Sequence, residues 1–162
     1  MWKISVDGTD FEINEPIPFS TKWFSKKHNG PGLRYEIALA LYSNQVVWFS
    51  GPHPCGAFSD LKTFQSCGLK RLLVLSNEKA IADGTYMDGS VSGKGKGSRE
   101  WRKAKSRMRA RHESLNRRLK VFKMLSQKYI MAREKHHIVF QAALFLLQLS
   151  LHDEPLMDTF TI

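Results

Sequence analysis

The sequence predicts an α/β domain, a mixed sheet flanked by helices, and three observations carry that expectation. The first third alternates apolar and polar residues as strands do. The stretch from Ser59 to Leu75 places its leucines at helical spacing, and a long helical pattern without Gly or Pro follows Trp101. The order is therefore three strands, a helix, a strand, a long helix and a second helix. Strands and helices in that succession pack as a sheet covered by helices.

The stretch "KISVDGTDFEI" alternates around Asp7-Gly8, so it is either one long strand or a hairpin turning there. Residues 16–32 form a loop containing Pro16, Pro18 and Pro31 with the cations Lys22, Lys26 and Lys27. "LRYEIALALYSNQVVWFSGP" reads as a hairpin closed by a Ser-Asn turn. Ser59 is a natural N-cap for a helix carrying Leu61, Phe64, Leu69, Leu72 and Leu73, although Gly68 allows two short helices instead. "KAIADGTYMDG" is a short buried strand entering a turn, and "SVSGKGKGSR" is a flexible connector. The long helix is expected from about Trp101 to Arg133, with Leu115, Leu119, Phe122 and Leu125 as its apolar stripe. The last helix spans roughly His136–Leu151. Its run "IVFQAALFLLQLSL" is interrupted by Gln141 and Gln148 and is shorter than the ~20 residues of a spanning helix, so it is read as a core helix and no membrane partner is expected. Residues 1–152 are taken as one domain and 153–162 as an acidic tail.

Charge is distributed unevenly. Residues 1–93 balance, whereas residues 94–135 hold sixteen Lys/Arg against three Asp/Glu, a net +13 within a chain of net +10. Basicity gathered in one segment marks a surface facing a polyanion, with nucleic acid first and an anionic membrane second. Cys55 and Cys67 show neither a CxxC pair nor a zinc-type His spacing, and are read as free thiols in a reducing compartment. The start, "MWKISVDGTD", lacks the apolar core of a signal peptide.

Four acids stand out. Asp7 and Asp83 end strands, Asp60 opens the first helix, and Glu113 sits alone among the cations of "RMRARHESLNRRLK". Each also has a plain reading: Asp7 and Asp83 as turn residues before glycine, Asp60 as a partner of the helix dipole, Glu113 as an intrahelical ion pair with Arg109 or Arg117. Together they read differently. Ligand sites of α/β sheets lie at the carboxyl ends of strands, and carboxylates converging there need a cation to neutralise them. Hard ions such as Mg²⁺ take oxygen ligands, and an ion pair about 4 Å apart suits phosphodiester cleavage. Arg109, Glu113, Asn116, Arg117 and Lys120 share one helical face, so Glu113 would stand among phosphate-binding cations. Arg102 and Lys103 extend the basic surface. His112 beside Glu113 reads as a ligand-orienting group or as an exposed helical histidine, and Trp101 as a base-stacking or a packing residue. Trp23 and Phe24, beside Lys22, Lys26 and Lys27, read as a second DNA contact or as a solvated loop. His136-His137 reads as a helix start.

Taken in order, "VDGTDFEI", "VVWFSGPHPCGAFSDLKTF", "AIADGTY" and "RARHESLNRRLKVFKML", with its Arg-x-x-x-Glu spacing, resemble the DDE endonuclease domain of PIF/Harbinger-type transposases and their domesticated relatives, from about Ile4 to Leu151. The resemblance implies an RNase H-like fold and metal-dependent DNA cleavage and strand transfer. It further implies Mg²⁺ or Mn²⁺, two ions, on Asp7, Asp60, Asp83 and Glu113. Asp7, Asp83 and Glu113 would form the inner triad, with Asp60 a fourth ligand or support, although either Asp60 or Asp83 can be the family's second aspartate. Arg109, Arg117 and Lys120 would position phosphates. A separate Myb-like DNA-binding protein, homo-oligomerisation and a nuclear location are further implications. The family's N-terminal helix-turn-helix region is expected to be missing, and "MDGSVSGKGKGSRE" departs from the family's Pro-containing segment. A catalytically inactive DNA-binding or scaffold protein of the same descent is the first alternative. A basic RNA- or membrane-surface-binding module with incidental acids is the second.

Overall fold

The computed structural model describes residues 2–86, 89, 91–92 and 99–156. The strands are β1 (Trp2–Glu12), β2 (Phe24–Ser25), β3 (Gly30–Ala40), β4 (Val46–Pro54), β5 (Lys79–Ala82) and β6 (Val91–Ser92). The helices are α1 (Asp60–Ser66), α2 (Leu69–Leu75), α3 (Arg99–Leu119), α4 (Lys123–Ser126) and α5 (His136–Asp153). In the sheet β4, β3 and β1 are antiparallel neighbours, β5 lies parallel to β1 and β6 parallel to β5, while short β2 pairs with the start of β3. An antiparallel trio continued by parallel strands, with helices on both faces, is an RNase H-like arrangement.

β1 is one strand and does not turn at Asp7-Gly8. It pairs with β3 continuously from Ile4 opposite Ala40 to Glu12 opposite Gly32. A central strand flanked on both edges supplies every backbone partner that a turn would forgo. Its alternation divides the core. Ile4 and Val6, with Ala38, Ala80 and Ala82, meet Phe64 of α1 and Leu69 and Leu73 of α2. On the opposite face Phe11, Tyr35, Ile37 and Leu39 meet Leu115 and Leu119 of α3 and Phe140, Leu144, Leu147 and Leu151 of α5. Tyr35 and Phe140 stack at 3.8 Å, and the Tyr35 hydroxyl shares a 2.8 Å hydrogen bond with Nδ1 of buried His136, the first residue of α5.

The helix capped by Ser59 does divide at Gly68, whose φ of +100° falls where a side chain is strained. The long helix is shorter than expected. α3 stops at Leu119, Phe122 is extended, and α4 is a single turn. Continuing the helix would carry Leu125 and Tyr129 away from the core, whereas the break buries both and lets the Tyr129 N–H reach the Glu12 carbonyl at 2.9 Å. Short β2 and β6 were not anticipated. Most of "SVSGKGKGSR" and the end of the acidic tail lie outside the described residues. Both cysteines are free, and no helix among the described residues is long and apolar enough to cross a membrane.

Leu115 is fully buried between α3 and the sheet, so Leu115→Ala is expected to lose ~2–5 kcal/mol in urea unfolding with an unchanged slope. Val121, 76% exposed, tolerates alanine within ~0.5 kcal/mol in the same assay.

Candidate active-site cleft

The face of β1 that looks toward α3 carries Ser5 and Asp7. α3 crosses above it, and between them opens a cleft of about 540 Å³. Asp7 from β1, Asp83 from the end of β5 and Glu113 from α3 all line it, as do Arg109, Asn116, Arg117 and Lys120. The helical face inferred from spacing is thus the face turned to the cleft, and Leu115 and Leu119 point to the core. Arg102 and Lys103 do not line it. Asp60 does not line it either, because it approaches from the opposite face of the sheet.

Each acid has a distinct environment. The Asp7 carboxyl is pushed up to about 6, mainly by burial, with the charges of Asp60 and Asp83 adding to the rise and the Gly8 N–H and Lys27 opposing it. It makes no ion pair of its own among the described residues. Asp83 accepts from its neighbour Gly84 N–H at 2.6 Å and is ion-paired with Arg109. Glu113, with a side chain 76% exposed, lies 3.8 Å from Arg117 one turn on. Three oxygen-donor side chains of this kind fit a hard divalent cation in chemistry. In spacing they are not drawn together: no group of three His, Cys, Asp or Glu close enough to hold a metal is found among the described residues.

α3 is held over the cleft by polar anchors that its sequence hides. Arg111 is fully buried and donates to the carbonyls of Ala40, Leu41 and Ser43, at 3.0, 3.2 and 2.5 Å. His112, expected at the surface or at a ligand, is buried and shares a 3.0 Å hydrogen bond with the Ser5 hydroxyl. Burial holds its imidazole down at about 4, so it is neutral at pH 7. Trp101 packs on Trp2 with ring centres 5.4 Å apart. Trp23 lies between Lys22 and Arg133, whose cationic groups stand 5.2 and 4.5 Å from its ring centre.

Behind Asp7 the sheet carries a second polar group. Gly8 faces away from the cleft, and a Cβ there would stand 2.4 Å from Asp60 Oδ1 and 3.7 Å from the Tyr86 hydroxyl. Asp60 is ion-paired with Arg34 at 3.2 Å, and Arg34 is gripped by both oxygens of Asp10, at 2.8 and 3.0 Å, and by the Phe58 carbonyl. Thr85 bonds Asp60, and fully buried Tyr86, packed edge-on against Phe64, stands against Glu36. The loop carrying Asp83 is thereby fastened to the back of the strand carrying Asp7. Among cleft residues, sequence reasoning missed Lys105 and assigned Lys27 only to a loop contact. It missed Glu36 and Arg34 entirely, and a charged residue inside an otherwise apolar strand was the available signal for both.

A probable transposase for insertion sequence element IS702 from Microchaete diplosiphon is 27% identical to this chain over 147 residues, 82% of this chain and 50% of the relative. The chain thus spans half the length of that protein. No family model matches the sequence, and no solved structure matches it. The similarity supports a relationship to transposases and does not single out the Harbinger type.

Glu36 yields a pH prediction. It is fully buried and its carboxyl is pushed up to about 8, first by burial and then by the charge of Asp60. The folded state therefore favours the protonated form, and the associated stability is complete below pH 4.5 and lost as pH rises through about 8. Glu36→Gln should remove this loss, of which ~1–2 kcal/mol falls between pH 6.5 and 8, read as a flatter melting temperature across that window. Asp7 acts in the same sense only up to about pH 6, and His112 in the opposite sense below pH 6.5, so the comparison is made above that value.

Proposed function

We propose that this chain is the catalytic domain of a metal-dependent DNA endonuclease or transposase of the DDE type, resembling PIF/Harbinger elements. The observation that carries the reading is the meeting of Asp7, Asp83 and Glu113, from two strands and a helix, in one cleft that is also lined by Lys27, Lys105, Arg109, Arg117 and Lys120. Asp7, Asp83 and Glu113 would hold one or two Mg²⁺ or Mn²⁺ ions, and Asp60, on the other face, would support them through the Asp83 loop. The metal would polarise the scissile phosphate and acidify a water or a DNA 3′-hydroxyl. Arg109, Arg117 and Lys120 would bind the flanking phosphates, and Arg109 and Arg117 would exchange carboxylate partners for phosphate when DNA enters. Neutral His112 and buried Arg111 hold α3 in register, so that Glu113 stays over the strand ends. Strand transfer, a nuclear site of action, self-association and a separate Myb-like DNA-binding partner belong to the same reading.

A second reading has its own support. Asp83 and Glu113 are each turned to an arginine, and no three-residue metal cluster exists among the described residues. A chain of transposase descent that binds DNA without cutting it would keep such neutralised acids.

Calorimetric or fluorescence melting with millimolar Mg²⁺ or Mn²⁺ separates the two. The catalytic reading expects a gain of ~1–3 kcal/mol in wild type that shrinks in Glu113→Gln and Asp7→Asn, with nicking of supercoiled plasmid falling to background in both variants. No metal-dependent shift, together with plasmid that is bound and left intact, would leave only the binding reading.

A further inference from the structure

The cations of the cleft fall into distinct groups. Arg109 and Arg117 have carboxylate partners, Asp83 and Glu113. Lys27 and Lys120 have no ion pair or side-chain hydrogen bond among the described residues. They come from opposite walls. Lys27 is exposed on the turn between β2 and β3, and Lys120 follows the last residue of α3. Both line the cleft that Asp7 lines, and Lys120 feels the charge of Lys27.

Two ammonium groups that line one cleft without an ion-paired carboxylate repel one another. Lys120 registers this: its ammonium is made less basic first by burial and then by Lys27, with Asp10 acting weakly the other way. Asp10 is already engaged by Arg34 and Ser25, and Asp7 makes no ion pair with either lysine among the described residues. An anion seated between the lysines would relieve the repulsion, and a tetrahedral phosphate has oxygens to offer both walls.

We propose that Lys27 and Lys120 form a two-walled clamp for a single backbone phosphate of the bound DNA strand, in the cleft that Asp7 lines. This rests on the DNA-binding part of the function proposed above and is independent of metal chemistry. It gives the β2–β3 turn a task that the charge of α3 alone does not reveal: the strand is gripped from both sides, and the turn fixes how deeply it sits over Asp7.

The test is the salt dependence of binding to a short duplex oligonucleotide, in chelator, for wild type, Lys27→Gln, Lys120→Gln and the double variant. A shared phosphate requires each single variant to bind several-fold more weakly and to lower the slope of log affinity against log salt by about 0.9, with the double variant no worse than either. Lys62→Gln, on α1 at the other face of the sheet, serves as the control and should change nothing. A double variant that loses twice as much would assign the lysines to separate phosphates and overturn the clamp. So would unchanged slopes in all variants. Wild type that fails to bind the duplex would overturn the clamp and the DNA reading together, whereas binding without any metal effect would overturn only the catalytic reading.

Discussion

The site depends on how a strongly cationic helix is held against a sheet. Over Arg99–Leu119 the fully buried apolar side chains are only Met108, Leu115 and Leu119. Arg111 adds a buried guanidinium that cannot shed its proton and would be costly to leave without acceptors. The carbonyls of Ala40, Leu41 and Ser43 supply them, at the point where β3 ends and turns toward β4. That arrangement has one good register. A slip of α3 by one residue would take the guanidinium from its carbonyls and His112 from Ser5 together. Glu113, next in sequence, is placed over the cleft by these buried neighbours, since its own side chain is mostly exposed and its contact with Arg117 is weak.

The same logic works through β1. Its two faces serve different chemistry: Ser5 and Asp7 toward α3, Gly8 and Asp10 toward α1. The missing side chain at Gly8 admits Asp60 and Tyr86 to the back of the strand. From there Asp10, Arg34 and Asp60 form a chain of charge that is neutralised within itself. Tyr86 ties this chain to the turn after β5, where its N–H bonds the Asp83 carbonyl at 3.0 Å. Asp60 is therefore related to the cleft through the sheet and the Asp83 turn, a role that sequence order alone cannot distinguish from direct participation.

What was legible in the sequence follows from the range of the forces involved. Strand alternation, the Ser59 cap and the Leu115/Leu119 stripe are local, and they yielded the sheet, α1 and the core face of α3. The placement of Arg109, Glu113, Asn116 and Arg117 on one face was legible for the same reason. The end of α3 was not, because Phe122 breaks the helix to satisfy the distant partners Glu12 and Ile13, which compete with local propensity. Arg111 stood out only as one more cation of the basic stretch, and His112 read as a ligand-orienting or an exposed residue, since charge in an exposed pattern is the ordinary case. Only their backbone and hydroxyl partners, 70 and 107 residues away in sequence, make them core. Lys27 was legible as a cation in a loop but not as a wall of the cleft.

The electrostatics of the cleft also explain how so many like charges are tolerated. Arg109 and Arg117 are offset by Asp83 and Glu113, and Arg111 by carbonyls, so the net cationic surplus near the strand ends resides in residues without acidic partners, Lys27 and Lys120. The acids show the mirror image. Asp83 and Glu113 are neutralised by arginine, and Asp7 alone carries the cost of an unpaired, half-buried carboxyl, visible as its raised affinity for a proton. An unpaired carboxyl beside unpaired ammonium groups that do not close on it is a poor arrangement for a resting protein. Relaxing it by a direct ion pair would close the cleft. The backbone instead keeps Asp7 at the floor and the lysines on opposite walls, so that cation and anion are each left for something that enters from outside.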